Sequence, residues 1–146
     1  MSYRIECIPN VSTADPAILE RIAAAIQATE GVTLHFVDPG KSANRTVFTY
    51  LGPVSQVLKA TEALFAIAMS EIDMRQHQGV HPRMGAVDVC PFVLLDDDTY
   101  ANDLLERVRT FAEDISTKHD LAIYGYEHLA SSVARKNLAA VRQSEY

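Results

Sequence analysis

Cysteine is scarce in this chain. Two residues, Cys7 and Cys90, occur in 146, and they lack the paired spacing of a zinc site. Each sits inside an apolar, strand-like run, as buried reduced thiols do, and a disulfide between them requires that those strands be neighbours. Cationic runs are missing too. The net charge is −6, with no aromatic-basic alternation, which excludes the usual electrostatic footprint of a nucleic-acid binder. No apolar stretch approaches the length of a membrane span. The N-terminal Met1-Ser2-Tyr3-Arg4-Ile5-Glu6-Cys7 does not read as a signal peptide, so the expected address is cytoplasmic. No internal repeat, low-complexity tract or interdomain linker interrupts the chain. No glycine-flanked nucleophile elbow surrounds Ser12. No phosphate-binding glycine loop occurs either, since Gly52-Pro53 removes a backbone donor just where such a loop would supply one.

What is present suits one ordinary domain. An apolar content of 48% and a charged content of 22% are typical of a folded globular chain, and the length suffices for a core without metal or disulfide support. Tyr3 to Pro9 reads as a strand. Asp15-Pro16 reads as a helix start, a capping carboxylate followed by proline at the first helical position. Ile18, Leu19, Ile22 and Ile26 form that helix's apolar stripe, and Gly31 is placed for a left-handed cap. Val32 to Val37 is a second strand, broken by Asp38-Pro39-Gly40. Thr46 to Leu51 is a third strand. A long helix follows Gly52-Pro53, with Val57, Leu58, Leu64, Phe65, Ala68 and Ile72 on one face. Val87 to Leu95 is a fourth strand. Asp96-Asp97-Asp98 then sets negative charge at the start of a third helix, whose stripe is Leu104, Val108, Phe111 and Ile115. Lys118 and His119 stand at its end. Leu121 to Tyr126 reads as a fifth strand, and the tail to Tyr146 is polar with a weak helical period. The expected fold is α+β, a split βαββαβ sandwich with an additional helix and strand.

Chain direction gives this order a functional consequence. With right-handed crossovers, the connections Asn10–Thr13, Asp38–Arg45 and Asp73–Met84 all fall at one edge of the sheet. Asn10, Ser12, Asp38, Asn44, Arg45, His77, His81 and Arg83 are expected to converge there. The third connection is the most polar stretch of the chain: Asp73-Met74-Arg75-Gln76-His77-Gln78-Gly79-Val80-His81-Pro82-Arg83-Met84-Gly85. Such residues are poor core material and suit a binding or catalytic loop.

His77 and His81 are spaced as a helical zinc pair would be, but Gly79 and Pro82 oppose a regular helix, and Gln78 stands where a zinc protease needs glutamate. Proline after His81 stiffens its backbone, which suits proton transfer near neutral pH, whereas His77 fits a loop hydrogen-bonder. His35, His119 and His128 read as structural or solvent-exposed. Arg45 and Arg83 can hold carboxylates through forked hydrogen bonds, or pair with Asp38, Asp73 or Asp88 to pin the loops. Asp38-Pro39-Gly40 also reads as a plain turn, and Asp88 as a structural anchor.

These residues carry a resemblance. Glu6-Cys7-Ile8-Pro9-Asn10-Val11-Ser12, Asp38-Pro39-Gly40, Asn44-Arg45-Thr46-Val47 and Gly52-Pro53 are similar to the glutamate formiminotransferase family. So, most specifically, is the run from Ile72-Asp73-Met74 through His81-Pro82-Arg83-Met84-Gly85-Ala86-Val87-Asp88-Val89-Cys90-Pro91-Phe92. The closing Val141-Arg142-Gln143-Ser144-Glu145-Tyr146 looks like the end of that family's first lobe, so residues 1–146 would be one N-terminal-type subdomain without its second lobe. The resemblance implies two similar ferredoxin-like lobes enclosing folate. It implies transfer of a formimino group from N-formimino-L-glutamate to tetrahydrofolate in histidine breakdown, with His81 as catalytic acid/base. Arg45, Arg83, Asp38, Asn10 and Asn44 become candidate substrate contacts, tetrahydrofolate the co-substrate, and no metal is expected. A homodimer or a separate second lobe would complete the cleft. The chain departs from the family at Asn10-Val11-Ser12-Thr13-Ala14, where the family follows Asn-Phe-Ser with Glu-Gly. That departure, with the missing lobe, keeps open a non-catalytic ligand-binding or assembly domain of the same descent.

Overall fold

Asp15 and Pro16 begin the first helix as their chemistry dictates. In the computed structural model, which describes residues 2–72, 85–121 and 123, helix α1 spans Pro16–Gln27, and the Asp15 carboxylate accepts the Ala17 amide at 2.9 Å. Strands β1 (Arg4–Cys7) and β2 (Asn10–Val11) precede it; β3 (Thr33–Gly40) and β4 (Arg45–Pro53) follow. Helix α2 is Val54–Glu71, and β5 (Val87–Val89) and β6 (Phe92–Leu94) come next. A short 3-10 turn at Asp98–Tyr100, capped by the Asp97 carboxylate on the Thr99 amide at 2.8 Å, leads into α3, Ala101–His119.

The expected fourth strand is broken once, at a proline, and the first resumes beyond its proline, in residues expected as a connection. Pro9 separates β1 from β2, and Pro91 separates β5 from β6. A proline removes a ladder donor and kinks the strand. Neighbouring bonds carry the ladder across both breaks: Ile8 donates to the Pro91 carbonyl at 3.1 Å, and Phe48 to the Pro9 carbonyl at 3.0 Å. The β1–β2 ribbon therefore lies between β4 on one side and the β5–β6 ribbon on the other, with β3 beyond β4, and every pairing is antiparallel. The element order is the βαββαβ expected, and the fold is α+β. Of the expected fifth strand only Leu121 and Ile123 are among the described residues, and neither is in a strand.

Asp38-Pro39-Gly40 does not break the second strand. These residues continue β3, paired with Val47, Thr46 and Arg45, so the hairpin turn is only Lys41–Asn44. Pro39 is tolerated because β3 pairs with β4 alone among the described strands, and an edge strand does not need every donor. Gly31 does take a left-handed conformation, φ +82°, but in the turn before β3 rather than at the helix cap, which is Ala28.

The helices cover the sheet face carrying Ile5, Cys7, Val11, Phe48 and Tyr50, all fully buried. Into this core α1 sends Ile18, Leu19, Ile22 and Ile26, and α2 sends Val57, Ala60, Leu64 and Phe65. From α3 come Leu104, Val108 and Ile115, while Phe111 meets Phe65 and Phe92 edge-on at 6.2 and 5.9 Å. On the opposite sheet face Phe36 and Val93 remain 56% and 42% exposed.

Surface carboxylates tie α3 and the ends of the sheet together. Asp96 accepts the Arg4 backbone amide and guanidinium, and Asp103 accepts the Tyr3 hydroxyl at 2.6 Å and Arg107 at 2.8 Å. These bonds hold both carboxyls below the usual range, as Arg21 does for Glu71. A depressed folded-state pKa contributes stability that is complete above the unfolded value, about 4, and is lost as pH falls through the folded one. The Tm difference between wild type and Asp103→Asn should therefore be widest near neutral pH and shrink as the solution is acidified below the ordinary carboxylate value, about 4. Melting curves across pH 2–7 check this; a difference that stays constant on acidification would show that Asp103 is not linked to folding.

Candidate functional site

The rim is assembled by hydroxyls and one asparagine. After β2 the chain turns through Ser12, Thr13 and Ala14 toward α1. Ser12 donates its amide to the Ala86 carbonyl at 2.8 Å and its hydroxyl to the Gly85 carbonyl at 2.5 Å. Thr46, the first inward position of β4, donates to the Thr13 carbonyl at 2.7 Å, and Thr13 Oγ1 accepts the Asp15 amide at 3.1 Å. Asn44, left-handed at φ 50°, closes the hairpin turn by donating to the Lys41 carbonyl, and its side-chain oxygen accepts the Ala14 amide at 3.1 Å. Asparagine tolerates this conformation better than most side-chain-bearing residues. The β2–α1 connection, the β3–β4 turn and the Gly85–Asp88 segment thus meet at one edge of the sheet, as chain direction predicts for the first two connections.

Each candidate residue has its own place. Asn10 lies in β2, not in a loop, opposite Val47 and Val89, and Asp38 lies across from Val47 in β3. Val89, Asn10, Val47 and Asp38 therefore form one row across the sheet. Arg45 opens β4 beside that row, and its Nη1 lies 4.0 Å from the Asp88 carboxylate, whose side chain is fully buried. That separation exceeds hydrogen-bond reach, so the attraction is electrostatic. Arg45 is thus paired toward the anchor Asp88, and among the described residues its guanidinium makes no hydrogen bond. The connection Asp73–Met84, with His77, His81 and Arg83, lies outside the described residues. His128 does too. His35 is exposed at the bulge in β3. At the end of α3, the buried Nε2 of His119 has no hydrogen-bond partner among the described residues.

The part played by Thr13 and Thr46 was missed by sequence reasoning. A signal existed: Thr46 occupies an inward position in the alternating pattern of β4, and a buried hydroxyl needs a partner. Among the described residues no group of three or more His, Cys, Asp or Glu side chains is placed to hold a metal ion. No described helix is long and apolar enough to cross a membrane.

Comparison with known proteins gives this geometry its context. The family model for the formiminotransferase domain, N-terminal subdomain, matches residues 4–146. Formimidoyltransferase-cyclodeaminase of Dictyostelium discoideum is 40% identical over the full chain, which covers 27% of that protein. Glutamate formimidoyltransferase of Streptococcus pyogenes serotype M1 is 38% identical over the full chain, which covers 49% of the relative. The protein of the same name from Thermoplasma acidophilum is 33% identical over 97% of the chain, covering 47% of its own length. The chain thus spans between about a quarter and about half of the relatives it matches. With the family match running from Arg4 to the last residue, the chain belongs to the formiminotransferase domain family as its N-terminal subdomain.

Proposed function

We propose that this chain supplies the N-terminal half of a site that transfers a formimino group from N-formimino-L-glutamate to tetrahydrofolate. The observation that supports it most is the rim itself: Asn10, Asn44, Arg45 and Asp88 gather at one edge of the sheet, where Ser12 binds the Gly85 carbonyl, four residues after His81 in sequence. The chemistry follows. A folate ring nitrogen attacks the amidine carbon, a tetrahedral intermediate forms, and the bond to the glutamate nitrogen breaks. The incoming nitrogen loses a proton and the departing one gains it. One imidazole, His81, accepts the first and delivers the second. Arg45 and Arg83 bind the two glutamate carboxylates, with Asn10, Asn44 and Asp38 as further substrate contacts, and no metal takes part.

Residues 1–146 form one subdomain of this site. The other half of the cleft comes from a second lobe or a second copy of the chain, most simply a symmetric homodimer, working in the cytoplasm. The test is calorimetry of the chain with N-formimino-L-glutamate and with tetrahydrofolate, followed by a transfer assay with and without a relative's C-terminal half added as a separate polypeptide. Binding of formimino-glutamate together with turnover in the completed mixture is expected. Failure to bind either ligand overturns the reading.

Arg45 has its own expected signature. Arg45→Ala should raise KM for formimino-glutamate by about tenfold or more, as loss of a charge-assisted carboxylate contact does. It should leave KM for the folate unchanged. Equal effects on both substrates would assign Arg45 to loop pinning through Asp88 instead.

The second reading, a non-catalytic binding or assembly domain, draws on Thr13 and Ala14. Where the family has a charge and a glycine, this chain has a segment bonded into place at Asn44, Thr46 and Asp15. Ligand binding without turnover, even with the second half present, would favour it.

A further inference from the structure

A second feature lies behind the rim, on the helix face of the sheet. Cys7 ends β1, and Cys90 sits in the kink between β5 and β6, in ribbons that pair side by side. Their sulfurs are 3.6 Å apart, and both are free thiols. Beside them a polar chain crosses the apolar core. Tyr50 and Thr61 hydroxyls are 2.6 Å apart, Thr61 reaches the Val57 carbonyl at 2.8 Å, and Thr61 Oγ1 is 3.7 Å from Cys7 Sγ. Thr61 has one proton, and of its neighbours Tyr50, Cys7 and Val57 only the Val57 carbonyl cannot donate, so that carbonyl takes the proton and Tyr50 donates to Thr61. The Cys7 and Cys90 sulfurs are left facing one another.

We propose that Cys7 and Cys90 are a buried dithiol that a small hydroperoxide converts to an intrachain disulfide, stapling the β1–β2 ribbon to the β5–β6 ribbon. A disulfide needs its sulfurs at about 2.0 Å, so the pair must close by roughly 1.5 Å. Cys90 can supply that movement because it lies in the kink, outside the paired residues of β5 and β6. The step balances with the oxidant named. The thiolate of one cysteine, formed by loss of its proton, attacks a peroxide oxygen; the O–O bond breaks and a sulfenic acid and hydroxide result. The partner sulfur attacks the sulfenic sulfur, the S–S bond forms and the oxygen leaves as water. Two thiols and one hydrogen peroxide yield one disulfide and two waters.

The neighbouring Cys7 thiol and burial together push the Cys90 thiol up. Fewer Cys90 thiolates make that sulfur slow to react, and the full burial of Cys7 admits only small oxidants. The stapled ribbons are the same two whose far ends, at Ser12 and at Gly85 and Ala86, meet at the rim.

The test treats the whole chain with hydrogen peroxide, denatures it, and counts thiols with a maleimide. Untreated protein should take two labels only after denaturation. Peroxide-treated protein should take none, and dithiothreitol should restore both. Peptide mapping without reductant should show Cys7 joined to Cys90 within one chain. Removing the peroxide with catalase and denaturing in the presence of maleimide guards against a cross-link formed after unfolding, since thiols still free at that point are capped before they can pair. Labels retained after peroxide, labels lost but not restored by dithiothreitol, or links only between chains would each overturn the proposal.

Discussion

Replacing His81 with alanine should lower kcat for formimino transfer about 10²–10⁴-fold, the usual contribution of a positioned acid/base. KM for both substrates should stay near the wild-type value, because proton transfer matters in the transition state and not in ground-state binding. Two further readouts separate chemistry from structure. The wild-type profile of kcat/KM against pH should carry an inflection in the imidazole range, about 6–7, and His81→Ala should lose it. Added imidazole should restore part of the rate in the variant. His77→Ala, by contrast, should retain most activity, since His77 has no proline-stiffened backbone and no assigned proton to move. The assay belongs in the completed system, with a second lobe or partner copy present. Undiminished transfer by His81→Ala there would remove the mechanism. If His77→Ala shows the larger loss, the two histidines exchange roles.

Local chemistry made much of the fold legible. Asp15-Pro16, the Ile18–Ile26 stripe and the Leu104–Ile115 stripe need only helical spacing and a capping carboxylate, and each lies where the pattern puts it. Signals that depend on a partner strand misled. Asp38-Pro39-Gly40 has turn composition, yet it extends β3, because the cost of Pro39 depends on whether a strand lies on its far side. Pro9 and Pro91 gave no warning that two strands would each be kinked at matching levels, since that follows from their pairing across Ile8 and Pro91. Thr61 stands on the buried face of α2 as an apparent gap in the apolar stripe, explicable only once the Tyr50 hydroxyl is seen to need it.

The candidate site divides the same way. Which connections share an edge follows from chain direction alone, so the meeting of Asn10–Ala14 with Asn44–Thr46 was foreseeable. Which side chain pins which was not. The bulge between Asn10 and Val11 shifts the register against β5, and the Arg45–Asp88 approach depends on that neighbourhood. His81 is proposed on its residue type, the proline after it and the family resemblance, and it lies outside the described residues.

Gly52→Ala should be the most damaging small substitution in the sheet. Gly52 pairs with Ile5 inside β4, and a Cβ there would come within 2.5 Å of the Gly31 carbonyl oxygen and 3.3 Å of the Gly31 carbonyl carbon and the Val32 Cα. Every one of these atoms is backbone, so no side chain can swing aside. Gly31 cannot readily yield either, because its φ of +82° is what turns the chain from α1 into β3. To admit the methyl, the sheet must separate where Thr33 faces Leu51, beside the core residues Leu34 and Tyr50. Overpacking against unyielding neighbours costs about 1–3 kcal/mol, which lowers Tm by about 3–10 °C in a domain of this size. Gly85→Ala is the matched control: among the described residues its Cβ would meet nothing within 4 Å, and the change should stay within about 0.5 kcal/mol. Urea or thermal melts of the two variants side by side decide the matter. Equal stability would mean that the Gly31 turn does not press against β4, and the α1–β3 crossover would then need a different account of why it packs so closely on the strand.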